Sequence, residues 1–315
     1  MRHRSRPAPM PCFSPLLGVL ATGLAATLGA ACNREPAPAT APAATTTQRA
    51  APPPSALDLP AVATGDKVDL DALTPGFVRV PAGRVVLGSP PAEAGRGEDE
   101  RQHSATIRHS FEMQATEVTA GDYERLIGRN PSMHEGCANC PVEQVSWFEA
   151  ARYCNELSRR RGLPICTVLD EKRPTWKGPE CRGFRLPTEA EWEHAARGGV
   201  DVTAHGGRPG PVETISWIDT NSELRTHPVG EKDPNGYGLF DMLGNVAEWV
   251  WDWQDPYPDD AGVDPQGPAG GDNKVFRGGA ARWSADEARV SFRNAYGPGN
   301  KVEFIGFRCV RTLSK

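Results

Sequence analysis

Glycine and proline break this chain so often that no long regular element can run through it: 33 glycines and 30 prolines fall among 315 residues. Each proline removes a backbone donor and each glycine loosens the backbone, so helical bundles and coiled coils are excluded and short elements joined by turns are expected. The length suits one large domain or two ordinary ones. Hydrophobic residues at 38% and charged residues at 24% describe a soluble globular protein. The formal net charge of -5 offers no basic footprint for phosphate backbones, so nucleic acid is not expected as a partner.

The first 32 residues read as an export signal. Arg2, Arg4 and Arg6 form a positive start, Phe13 to Ala30 is uncharged, and small residues lead to Gly29-Ala30-Ala31-Cys32. A cysteine there resembles the lipidation site of bacterial lipoproteins, with Cys32 as the acceptor. That motif prefers Leu three places before the cysteine, and here Gly29 holds the place with Leu28 one further back. Plain secretion and an uncleaved membrane anchor are the alternatives. Residues 33–70 are rich in Ala, Pro and Thr and poor in large apolar side chains, so they are expected to be a disordered tether. Residues 71–315 then form one folded domain.

Within it, Phe77-Val78-Arg79-Val80 and Val85-Val86-Leu87 flank Pro81-Ala82-Gly83, the pattern of a hairpin. Two helices carry start signals. Ser146 with Glu149 forms one capping box, followed by apolar residues at helical spacing until Gly162; Thr188 with Glu191 forms another, and its helix closes at Gly198-Gly199. Beyond residue 200, short apolar runs alternate with Gly, Asn and Pro, ending in Phe307 to Thr312 as a half-buried strand. The fold class is α+β, loop-rich, with short strands and two clear helices.

Cys137, Cys140, Cys154, Cys166, Cys181 and Cys309 remain once the signal is removed, an even number in an exported protein, so disulfides are expected. Zinc and a thioredoxin-like pair are the other readings of Cys137-Ala-Asn-Cys140. No second matching pair supports zinc, and no helix start follows to stabilise a thiolate.

Several ordered runs carry a family resemblance. They include Arg185-Leu186-Pro187-Thr188-Glu189-Ala190-Glu191-Trp192-Glu193, Asn235-Gly236-Tyr237-Gly238-Leu239-Phe240-Asp241-Met242-Leu243-Gly244-Asn245-Val246-Ala247-Glu248-Trp249, Arg277-Gly278-Gly279 and Gly306-Phe307-Arg308-Cys309. With Glu117-Val118-Thr119 and Pro141 to Trp147, they resemble the formylglycine-generating enzyme, or sulfatase-modifying-factor, family. The resemblance implies a C-type lectin-like α+β fold and a disulfide between Cys154 and Cys309. Active members oxidise a sulfatase cysteine to formylglycine with copper and oxygen. Their copper is held by two cysteines in Gly-Gly-Ser-x-x-Cys-x4-Cys, since paired thiolates select Cu(I).

Here the serine position is Ala280 and the two cysteine positions are Trp283 and Ala288. Neither side chain ligates copper, so no copper is expected, and Trp283 is expected to fill part of the cleft. By the same resemblance a structural calcium would be held by Asp241, the carbonyls of Gly244 and Val246, and Glu248. The competing reading has Asp241 capping a turn and Glu248 paired with Arg277 or Arg293. Other features read as structural. His103 and His109 are ordinary histidines, and Trp249, Trp251 and Trp253 alternate onto one strand face as core rather than as a sugar platform. Asp255, Asp259, Asp260 and Asp264 form a solvated acidic loop. Two functions follow from the residues. One is an accessory or binding module in the bacterial cell envelope, attached to the membrane through a lipid and facing an unknown envelope protein or ligand. The other is an oxidoreductase of the same family using a metal site without cysteine.

Overall fold

The computed structural model describes Ser55, Leu57, Thr74 and residues 76–170, 173–200, 204–206 and 210–313. The expected signal segment, with Cys32, lies outside the described residues, as does most of the tether. Two residues of that tether nevertheless touch the domain. Ser55 Oγ donates to Asp122 Oδ2 at 2.7 Å, and Leu57 is buried in the hydrophobic core.

Three helices form where a side chain can receive the first free backbone N–H groups. In α2 (Trp147–Arg160) and α3 (Glu189–Arg197) both capping boxes are complete. Helix α1 (Ala120–Ile127) was not marked by apolar periodicity; Thr119 caps it by accepting from Asp122 N, and Gly128 ends it in the left-handed conformation.

Among the described residues the strands form four small sheets. β1 (Phe77–Val80), β4 (Phe111–Gln114) and β12 (Val310–Thr312) make an antiparallel set. β2 (Gly83–Leu87), β3 (His103–Ile107) and β8 (Asp260–Val263) make another, with β8 parallel to β3. β7 (Ala247–Trp253), β9 (Lys274–Arg277), β10 (Arg293–Tyr296) and β11 (Ile305–Gly306) run in the order β10-β9-β7-β11. β5 (Thr167–Val168) and β6 (Thr175–Trp176) pair alone. The α+β, loop-rich class therefore holds.

Two local expectations are corrected. β1 and β2 do not form a hairpin: β1 pairs with β4 and β2 with β3. Pro81 cannot donate across a turn, and its carbonyl is instead 2.9 Å from His194 Nε2 on α3. The Pro81–Gly83 link is thus a corner between two sheets. The last strand region is also buried on both faces rather than half-buried, because the polar residues that alternate there are paired arginines. Arg311 Nε donates to Glu112 Oε1 at 2.8 Å, and Arg308 is closed by Glu248.

β7 sits between the two main core clusters. Trp249 and Trp251 enter one with Trp147, Phe276 and Phe307, while Val250 enters the other with Phe111 and Trp192. Trp253 is buried as well but belongs to neither cluster and lines a cavity, so the core placement implied by the alternation holds for Trp249 and Trp251. Trp253 stands against Lys274, whose Nζ lies 3.9 Å from its ring centroid and 4.3 Å from that of Trp147.

Candidate functional site

The segment after β9 turns twice through glycine. Gly278 and Gly279 have φ of +97° and +75°, and a Cβ on Gly278 would meet Met242 O at 2.9 Å and the Trp192 ring at 3.0 Å. Only glycine lets the chain pass this close to α3. Ala280 and Ala281 follow, fully buried. Trp283 is half-buried, with ring centroids 5.8 Å from Phe276 and 6.2 Å from Phe292, and it packs against Phe304 and Ala281. Ala288 is fully buried in the second core cluster. Of the two positions that resemble copper ligands, one is an aromatic contact and the other is a methyl group inside the core. All six described cysteines are oxidised, as Cys137–Cys140, Cys154–Cys309 and Cys166–Cys181. The Cys137–Cys140 pair is thus a disulfide, neither a zinc site nor a free dithiol.

Of the residues expected to hold calcium, Asp241 and Glu248 share a buried charge cluster with two partners the sequence did not mark. Among the described residues, no three His, Cys, Asp or Glu side chains are grouped to hold a metal ion. Glu248 does not pair with Arg277 or Arg293. Its carboxylate accepts from Arg308 Nη2 at 2.7 Å, from Arg308 Nε at 2.8 Å and 2.9 Å, and from Trp192 Nε1 at 2.7 Å. Arg277 stands opposite Glu248 in register but turns to α3, donating to Glu189 Oε1 and Glu193 Oε2, each at 2.7 Å. Arg293 also goes to Glu189. The second unmarked partner is Glu117, which accepts from Val246 N at 3.3 Å and from Asn245 Nδ2 at 3.4 Å. Both missed residues lie inside runs that carry the family resemblance, yet nothing local assigns either to this cluster.

Asp241 adopts φ of +52° and is 2% exposed. Its Oδ2 accepts from Gly230 N at 2.6 Å, whereas its Oδ1 is buried without a partner. Burial, opposed by the Gly230 N–H and Arg308, pushes its pKa up to about 6. Burial also raises Glu117 well above the usual carboxylate range, reinforced by the charges of Asp241 and Glu248. Three buried carboxylates therefore share one guanidinium. The surplus negative charge and the orphan Asp241 oxygen suit a cation or protons. Glu248 is less suited as it stands, because Arg308 and Trp192 occupy its carboxylate.

A separate cavity of about 360 Å³ opens beside the N-terminal end of α3, and Asp252, Trp253 and Tyr257 are among its walls. His103 opens β3 with Nδ1 2.9 Å from Arg101 O and its ring against Tyr257. His109 is buried beside Glu180, with Nε2 3.1 Å from the carboxylate.

Comparison with known proteins follows the same lines. Residues 66–313 match the sulfatase-modifying factor enzyme 1-like domain. Chaperone protein LppX of Paenibacillus barcinonensis is 29% identical over 62% of this chain and 78% of its own length. The formylglycine-generating enzyme of Streptomyces coelicolor is 34% identical over 55% of this chain, which spans about half (53%) of that enzyme. The inactive C-alpha-formylglycine-generating enzyme 2 of Mus musculus is 28% identical over 78% of this chain and 88% of its own. Among solved structures, Treponema denticola variable protein 1 superposes with a TM-score of 0.68 at 32% identity, over 75% of this chain and 94% of its own. PvdO from Pseudomonas aeruginosa gives 0.62 at 26% identity, over 75% of this chain and 94% of its own.

Proposed function

We propose, from the premise that this chain belongs to the sulfatase-modifying factor enzyme 1-like family, that it is an exported member acting as a binding or accessory module in the cell envelope. The carrying observation is the replacement of both copper-ligand positions. Trp283 packs on aromatic rings and Ala288 is in the core, while every described cysteine is in a disulfide. A Cu(I) centre needs soft thiolates, and none of the described residues offers one. A role other than cysteine oxidation has precedent among its relatives, one of which is named inactive and another a chaperone. Three disulfides suit an oxidising compartment, and Cys32 is the residue through which we propose a lipid would hold the domain at a membrane.

Calcium belongs to this proposal as a structural ion. Asp241 and the carbonyls of Gly244 and Val246 would receive it, with Glu248 released from Arg308. Its role would be to neutralise the surplus charge of the cluster.

The decisive experiment incubates the purified chain with copper, oxygen and a cysteine peptide from a sulfatase, then scores aldehyde with a hydrazide probe. No aldehyde above the protein-free control is expected. Aldehyde formed in proportion to the protein would overturn the reading. Stoichiometric copper or iron retained through purification, with oxygen consumed on addition of thiol, would instead favour an oxidoreductase with a metal site lacking cysteine.

A further inference from the structure

The cavity beside α3 is lined by three carboxylates, Glu189, Asp252 and Asp255, and by one arginine, Arg293. Two charged residues in its wall neutralise each other. Arg293 Nε donates to Glu189 Oε1 at 2.8 Å and Nη2 to Glu189 Oε2 at 2.9 Å, while Nη1 reaches Asp255 O at 3.0 Å. Glu189 also accepts from Arg277 and from the Tyr257 hydroxyl, each at 2.7 Å. The nearby Lys274 Nζ donates to Trp251 O at 2.6 Å, and its charge acts on Asp252 without a direct ion pair.

Asp252 is different. It is 4% exposed and lines the cavity. Its Oδ2 accepts from Glu189 N at 2.7 Å, at the start of α3, and its Oδ1 has no hydrogen-bond partner among the described residues. Burial first, then the charge of Glu189, pushes its pKa up to about 7. It is a carboxyl group that burial and the Glu189 charge hold near neutrality, against the opposing charges of Lys274 and Arg293. The chain beside the cavity adds Asp255 to the lining and carries exposed Asp260, while Asp259 is paired with Arg101. The remaining walls include the rings of Trp253 and Tyr257 and several prolines, together with the polar His103 and Gln266.

We propose that this cavity binds a small organic cation, a protonated amine or a guanidine with an apolar body, its charged end received by Asp252 and its body held between Trp253, Tyr257 and the prolines. The volume of about 360 Å³ lies within the range of small-molecule sites. An anion would meet the carboxylates of Asp252 and Asp255, and a neutral molecule would bring Asp252 no charged partner of its own. The inference goes beyond the accessory role and does not depend on it, because the aldehyde assay reads a different part of the fold.

The test uses benzylamine, benzyl alcohol and benzoate, which share a ring and differ in charge, together with agmatine as a guanidinium. Each is titrated into the purified chain by calorimetry and ligand-observed NMR. Saturable binding of benzylamine or agmatine is expected, with the alcohol at least about tenfold weaker and benzoate without effect. Asp252→Asn keeps an acceptor for Glu189 N and removes the charge; it should weaken cation binding by about tenfold or more. Ala261→Phe fills the cavity from β8 without altering Asp252 and should abolish binding even if the first variant folds poorly. Equal binding of the three ring compounds overturns the proposal. So does the absence of saturation by either cation at millimolar concentration, or unchanged affinity in Ala261→Phe.

Discussion

Asp241 concentrates the electrostatic problem of this protein in one side chain. It occupies a left-handed backbone position, which Asn and Asp tolerate better than most residues, and it is buried beside two other carboxylates and one arginine. Its folded pKa of about 6 lies above the ordinary value of about 3.9. The protonated form is therefore the one the fold favours, and its stabilising contribution is present below about pH 4 and lost as pH rises through about 6. Asp241→Asn mimics that form while an amide oxygen can still accept from Gly230 N. In chelator at about pH 8 the variant should melt higher than the parent, by at most about 3 kcal/mol, and the gain should vanish near pH 4. Millimolar calcium should raise the parent's melting temperature near pH 8 more than the variant's, because an amide oxygen is a ligand without charge. A calcium response equal in both would remove Asp241 from the ligand set.

Helix α3 shows how an element can be legible in outline and hidden in purpose. Its boundaries follow from Thr188, Glu191 and Gly198, all local signals, and Thr188→Ala should cost about 1 kcal/mol in chemical denaturation. Its acidic residues look like those of a solvated face, yet Glu189 and Glu193 are buried and hold Arg277, Arg293 and Arg197. Arg277 is fully buried, so Arg277→Ala takes one of two arginines from each of Glu189 and Glu193 and should cost about 3–5 kcal/mol. By contrast, Lys301→Ala removes a partly exposed partner of Glu149 and should cost less than about 1 kcal/mol. Comparable losses in the two variants would contradict this account of α3.

Across the whole molecule, the disulfides differ in how much chain they constrain. Cys154–Cys309 spans 155 residues and ties α2 to the C-terminal strands, whereas Cys137–Cys140 spans three. Chain entropy then predicts losses of about 5 kcal/mol for the Cys154→Ala, Cys309→Ala pair and about 2 kcal/mol for the Cys137→Ala, Cys140→Ala pair. Denaturant midpoints at matched slope would show the ranking, and a reversed order would mean that native contacts outweigh loop closure. The long bridge also explains why Arg308 is so enclosed: it neighbours Cys309 and is sandwiched where β4, β7 and the Asp241 turn meet.

What the sequence determined by itself was local or covalent. The capping residues of α2 and α3 act within one helical turn, and the replacement of the copper cysteines by Trp283 and Ala288 is a matter of residue type at fixed spacing. An even set of six cysteines allows complete pairing wherever each one lies. The ordered motifs carried the family and with it the α+β class. Only the tertiary structure decided the rest: that β1 and β2 part at Pro81, that Glu248 belongs to Arg308 rather than Arg277, that Glu117 joins Asp241, and that Asp252 faces a cavity. The reason is physical. The state of a buried charge depends on which groups stand within a few ångströms and on whether water is excluded. Those neighbours come from segments more than a hundred residues apart in the cases of Glu117 and Val246, or Arg293 and Glu189, a relation that no local pattern encodes.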